Sequence, residues 1–116
     1  MSFLDWFSNR EVAEFGRGLA DTLAKRYPAA LEVNPEKKIS QARLTQVIEE
    51  TLRPVAEFQR ERKLGMFGKA RLGNQFKWRL RDLGYTEKFI EVATEGLMVH
   101  LTRGAQTSGP AGTGKR

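Results

Sequence analysis

Apolar residues recur at three- and four-residue steps along four stretches of the chain, the period of helices, and no segment reads as a strand with a partner to pair with. Val12, Phe15, Leu19, Leu23 and Tyr27 make one face of a first helix over about 9–27. Ser8 or Asn9 can cap its start, and Pro28 stops it. Gly16 and Ala20 lie beside that face, where small side chains admit a neighbouring helix. Gly16 and Gly18 each cost about 1 kcal/mol relative to alanine in a helix interior, which close packing would offset. Ahead of this helix, M-S-F-L-D-W-F reads as a short helical turn docked on the core. Residues 28–39 read as a linker that holds prolines 28 and 35, with Leu31 and Val33 tucked beneath it.

The second helix, about 40–63, has Ser40 as its N-cap. Leu44, Val47, Ile48, Leu52, Val55 and Phe58 form its inner face, and Gln46, Glu49, Glu50, Arg53, Glu57 and Arg60 its solvated one. Pro54 removes an interior hydrogen bond and crowds the carbonyl four residues back, so a kink or a break belongs at 50–53. Gly65 closes this helix, and L-G-M-F-G (64–68) reads as a tight connection plugged by Met66 and Phe67. In the third helix, about 69–83, Leu72, Phe76, Leu80 and Leu83 cluster within about 80° at 100° per residue and face the core. Gly84 suits the left-handed position after it, with Tyr85 closing the cap. The last helix, about 86–103, starts at Thr86 with Glu87 favourably placed for the dipole. Phe89, Ile90, Val92, Ala93, Leu97, Val99 and Leu101 cover more than half its circumference, a breadth that suits burial by several neighbours or sharing across a homodimer. The expected fold is therefore all-α: a compact bundle of four main helices with a short N-terminal turn. Residues 1–103 form a single helical domain and 104–116, rich in Gly, Ser and Thr, a flexible basic tail.

Composition fits such a domain. The chain has 116 residues, 40% hydrophobic and 29% charged, ordinary globular values. It has no cysteine, hence no disulfide, thiolate nucleophile or cysteine-based zinc site. No apolar run approaches the roughly 18–20 residues of a membrane span, and the N-terminus lacks the basic and long apolar regions of a signal peptide. A cytoplasmic protein is expected.

Charge changes the picture. The net charge of +6 is concentrated: the segment 60–81 holds eight of the twenty Lys and Arg and one of the fourteen carboxylates. That gives it +7 and leaves −1 for the remainder. Opposite the apolar cluster of the third helix, Trp78 falls among Arg71, Asn74, Gln75, Arg81 and Asp82. Guanidinium groups neutralise phosphates, carboxamides pair with adenine edges, and indoles stack on bases. The candidate nucleic-acid or anion-binding set is therefore Arg60, Arg62, Lys63, Lys69, Arg71, Asn74, Gln75, Lys77, Trp78 and Arg81. Two alternatives stand beside it. Trp78 could pack against the N-terminal segment or the linker, and the cations could answer the glutamates of neighbouring helices as surface ion pairs, each worth little.

Catalysis is not expected. The one histidine, His100, projects into the apolar side of the last helix, where a core residue is commoner than a ligand or base, and the carboxylates do not converge. No cofactor and no metal site are implied. The string G-P-A-G-T-G-K (109–115) fits seven places of a phosphate-binding loop. It lacks the preceding strand, the following helix and the Ser or Thr that would hold Mg²⁺, so the match is compositional. The leading expectation is a small binding module for nucleic acid or another polyanion. The alternatives are an adaptor, homodimeric or binding an acidic protein, and peripheral attachment to an anionic membrane. The last is the weakest, because Asp5 stands where an interfacial helix usually carries Lys or Arg.

Overall fold

Four helical rods laid side by side, two of each direction, hide a single core. The computed structural model describes the backbone of residues 3–108 and the side chains of 9–105. It contains α1 (Phe3–Arg26), α2 (Ala29–Glu32), a 3-10 turn (Pro35–Lys37), α3 (Gln41–Leu52), α4 (Pro54–Arg62), α5 (Met66–Leu83) and α6 (Glu87–Ser108), with no strand among the described residues. The rod made of α3 and α4 runs antiparallel to α1, as shown by Phe15 stacked on Phe58 near one end and Arg26 reaching Glu50 nearer the other. By contrast α1 and α5 run parallel. Arg17 meets Gln75 and Asp21 meets Arg79, the same 58-residue offset in each pair. α6 turns back along α5 and lies parallel to the α3–α4 rod, so the link from α4 to α5 crosses an end of the bundle.

The core faces are those the periodicity marks. Val12, Leu19, Leu23, Val47, Ile48, Leu52, Val55, Phe58, Leu72, Phe76, Leu80, Phe89, Ile90, Leu97 and Leu101 are all buried. Two glycines set how closely the rods approach. A Cβ on Gly16 would stand 3.0 Å from the Leu72 carbonyl oxygen on α5, and one on Gly104 would stand 2.5 Å from that of Ala56 on α4. Beside Gly16, Ala20 is fully buried, as its place in the pattern indicates. Gly18 differs from the expectation: a Cβ there meets nothing within 4 Å, so no packing offsets its cost.

The helix ends follow local chemistry, with four departures from the sequence reading. Ser40 Oγ accepts from the Arg43 amide at 3.1 Å, and Pro54 does divide the second helix, ending α3 at Leu52 and opening α4. Gly84 adopts φ 100°, and the Tyr85 amide bonds the Leu80 carbonyl at 3.2 Å. The first departure is α1, which is continuous from Phe3, because nothing between Phe3 and Asn9 breaks a helix; Ser8 and Asn9 are therefore interior positions and not its start. The second is the end of α4, where Lys63 rather than Gly65 takes the left-handed position at φ 51°. Its amide bonds the Gln59 carbonyl at 2.7 Å, and the buried Gln59 side chain donates to the Leu64 carbonyl at 3.1 Å. Third, α5 begins at Met66 instead of residue 69. Met66 and Phe67 are 81% and 87% exposed and plug nothing; Leu64 packs on the core in their stead. Fourth, α6 continues to Ser108, because the Gly104 crossing holds it past residue 103; the string at 109–115 lies outside the described residues.

The linker is bound through polar groups. Leu31 and Val33 are exposed and do not tuck under it. Instead Glu32 caps α6, its carboxylate accepting from the Thr86 amide at 2.9 Å and the Thr86 hydroxyl at 2.7 Å. Beside it the Tyr85 hydroxyl donates to the Tyr27 carbonyl at 2.5 Å. Burial, reinforced by the Glu32 carboxylate and then Tyr27, pushes the Tyr85 phenol up to about 12.

Gly104→Ala should destabilise the chain by about 1–3 kcal/mol through overpacking. Gly18→Ala should stabilise it by up to about 1 kcal/mol through helix propensity alone; urea unfolding measures both. Because the folded-state value of Tyr85 lies above the unfolded value near 10, its contribution is intact below pH 10 and is lost as pH rises towards 12. Tyr85→Phe should therefore flatten the alkaline fall in melting temperature over that window.

Candidate functional site

The outward side of α5 is fixed by its inward one. With Leu72, Phe76 and Leu80 sealed in the core, a rotation of about 100° per residue sends Phe67, Arg71, Asn74, Trp78 and Arg81 to the opposite side, at steps of four and three. Trp78 is 58% exposed, which decides between the two positions its sequence allows: it is a surface residue, not a packing element. Asn9, Phe67, Ala70, Arg71, Asn74, Gln75 and Trp78 line one groove of about 480 Å³ between the first turns of α1 and the flank of α5. Three members are polar groups with capacity to spare. Arg71 and Asn74 are exposed and make no ion pair or side-chain hydrogen bond to another described residue. Gln75 accepts from Arg17 at 3.1 Å, which leaves its amide donors available.

The cationic segment is divided between this face and the fold. Arg62 grips Glu11 of α1 with two bonds, of 3.0 and 2.5 Å, and lies 5.3 Å over the Phe58 ring. That side-chain bond, with the charge of Glu11 behind it, raises the guanidinium further above its usual value. Arg79 bonds Asp21 at 2.7 Å, and Arg60 pairs with Glu57. Arg81 holds Glu87 in a two-point pair of 2.8 and 2.9 Å while its guanidinium stands 5.5 Å from the Trp78 ring centre. Lys63, Lys69, Arg71 and Lys77 have no carboxylate within 4.0 Å among the described residues. Of these, Lys63 and Arg71 are exposed, while Lys69 and Lys77 are half-buried.

Of the ten residues marked by sequence, the groove gathers Arg71, Asn74, Gln75 and Trp78. Lys77 and Arg81 lie on the next shoulder of α5, lining a second groove shared with Glu87, Lys88, Glu91 and Met98 of α6. Arg60, Arg62 and Lys63 stand apart at the end of α4, and Lys69 shares the core-side edge of α5. Phe67 and Asn9 are additions that the sequence reading assigned to a plug and a cap. The four-residue step from Phe67 to Arg71 was the available signal, obscured by the expectation that Gly68 stood outside a helix.

His100 is a core residue, as its apolar setting indicates. Its Nε2 lies 3.2 Å from Glu49 Oε1 but off the line of a hydrogen bond, and the same carboxylate oxygen sits 3.8 Å from Arg103. No cluster of three or more metal-ligating side chains occurs among the described residues. The breadth of α6 is also accounted for within the chain. Phe89, Ile90, Ala93, Leu97 and Leu101 are buried, leaving Met98 and Val99 as its large exposed apolar side chains.

The Arg81 pair provides a measurable handle. Its hydrogen bonds hold the Glu87 carboxyl below the usual range, with a smaller contribution from the charge of nearby Lys77. Arg81→Ala should return Glu87 to the ordinary carboxylate range, observable by NMR titration.

Comparison with protein-family models, with curated protein sequences and with solved structures gave no match to this chain.

Proposed function

We propose that this chain is a non-enzymatic, cytoplasmic binding module whose partner is a polyanion, nucleic acid, engaged along the outward side of α5. The observation that carries the reading is the bare indole of Trp78 beside Arg71, Asn74 and Gln75 in one groove. A large aromatic is mostly buried on average, and this one is surrounded by groups that bond phosphates and base edges. The pairs that occupy Arg79 and Arg81 do not remove those residues from account. They are solvent-accessible ion pairs, which contribute little, so a phosphate can compete for the same guanidinium. Among the described residues, no helix is long and apolar enough to cross a membrane.

A second reading is favoured by Met66 and Phe67, two large apolar side chains left almost wholly in water at the start of α5. Together with Trp78 and Arg71 they resemble the aromatic and arginine anchors of protein interfaces, and an acidic protein would suit the nearby Lys63. Peripheral attachment to an anionic bilayer draws on the same residues. Homodimerisation through α6 would rest on the exposed Met98 and Val99, because Leu97 is buried within the chain.

Ionic strength separates these partners. For nucleic acid, the logarithm of the binding constant should fall linearly with the logarithm of salt concentration. Arg71→Ala, Lys77→Ala and Arg81→Ala should each reduce that slope by about 0.7–0.9. Absence of binding to any nucleic acid at low salt would overturn the reading, and binding to anionic vesicles in its place would favour the bilayer.

A further inference from the structure

Base faces are hidden inside a duplex and free in a single strand. An exposed ring on a protein gains stacking from the second and, without intercalation, nothing from the first. Two such rings lie on one side of α5: Phe67 at 87% exposure and Trp78 at 58%. They are eleven residues apart on the same helix, which at about 1.5 Å per residue places them about 16 Å from each other along its axis. Arg71 and Asn74 occupy the positions between, at four and seven residues from Phe67, and all four line the same groove. An aromatic, a cation, a carboxamide and a second aromatic thus follow one another along a rigid rod buried by its opposite face. A stacked strand advances about 3.4 Å per nucleotide, so the interval matches about five steps, and fewer where the bases splay apart.

Building on the nucleic-acid reading, we infer that the α5 groove is a single-strand site. Phe67 and Trp78 each receive one base, Arg71 receives a phosphate between them, and the footprint is about six nucleotides, or fewer where the bases splay apart. Asn74, exposed at the centre of the span, offers its carboxamide to the base that faces it. Lys77 and Arg81 flank the Trp78 end and take the phosphate beyond. The walls of the groove do not distinguish ribose from deoxyribose, so oligo-dT and oligo-U are equivalent probes of the shared chemistry.

The experiment uses full-length protein with Trp6→Phe, so that the fluorescence reports Trp78 alone, titrated at low salt with oligo-dT and oligo-U of two to twenty nucleotides and with a blunt duplex. Trp78 emission should be quenched by both single strands, with affinity rising steeply up to about six nucleotides and little thereafter apart from statistical gain. The duplex should bind at least tenfold more weakly. Phe67→Ala and Trp78→Ala, followed by anisotropy of a labelled oligonucleotide, should each weaken binding about five- to 150-fold, the range for loss of one stacked base. Both side chains are exposed, so circular dichroism of each variant should match that of the parent. Equal affinity for duplex and single strand, a length dependence without a step, or insensitivity to Phe67→Ala would overturn the single-strand site while leaving polyanion binding in place. Failure to bind any of these probes would overturn the polyanion reading itself.

Discussion

Backbone-to-backbone contact at two glycines determines how this bundle can be built. At Gly16 the α1 helix lies so near α5 that the Leu72 carbonyl occupies the space a side chain would need, and at Gly104 the α6 helix does the same to Ala56 on α4. Both crossings join parallel helices, which no short turn could connect. The remaining neighbours, α1 with the α3–α4 rod and α5 with α6, are antiparallel and follow one another along the chain. Once the two parallel seams are closed at this distance, Leu19, Leu23, Leu72 and Phe76 have one way to meet. The ion pair Arg79–Asp21 lies along the first seam and fixes its register, while Arg62–Glu11 ties the end of α4 to α1; neither drives closure, since exposed pairs contribute too little.

This arrangement explains why a segment of charge +7 yields a more modest cationic face. Helix α5 uses one edge to bind α1 through Arg79 and Gln75, and its C-terminal end to bind α6 through Arg81 and Glu87. The side left over, carrying Arg71, Asn74 and Trp78, faces water because the four rods are already satisfied on their other sides. The candidate site is thus what remains of a basic helix after the fold has taken the charges it needs.

Helix identity and core composition were readable because each main helix carries its own apolar stripe. The break at Pro54 and the caps at Ser40 and Gly84 follow from properties of single residues. What could not be read was whatever depends on a partner distant in sequence. Nothing around Glu11 or Asp21 marks them as the counter-ions of Arg62 and Arg79. Glu32 sits in an unremarkable linker, although it caps a helix more than fifty residues later. Lys63 takes a left-handed conformation that favours glycine, because Gln59 reaches around to hold the next carbonyl. Met66 and Phe67 misled in the opposite way. Apolar residues between glycines suggest a plug, but the helix had already begun and its geometry turned them outward. Trp78 was balanced between two environments until the position of α1 was known.

The parallel seam between α1 and α5 also bears on how the protein comes into being. The edge of α1 that carries Gly16 has its cover encoded some 58 residues further on, so in the first half of the chain α3 and α4 can shield α1 from one side only. During synthesis that edge stays uncovered until α5 has left the ribosome. Contacts this distant in sequence slow the search for the native arrangement relative to a bundle of successive hairpins. The nascent chain is thereby exposed to association with other chains for longer than its small size alone would suggest.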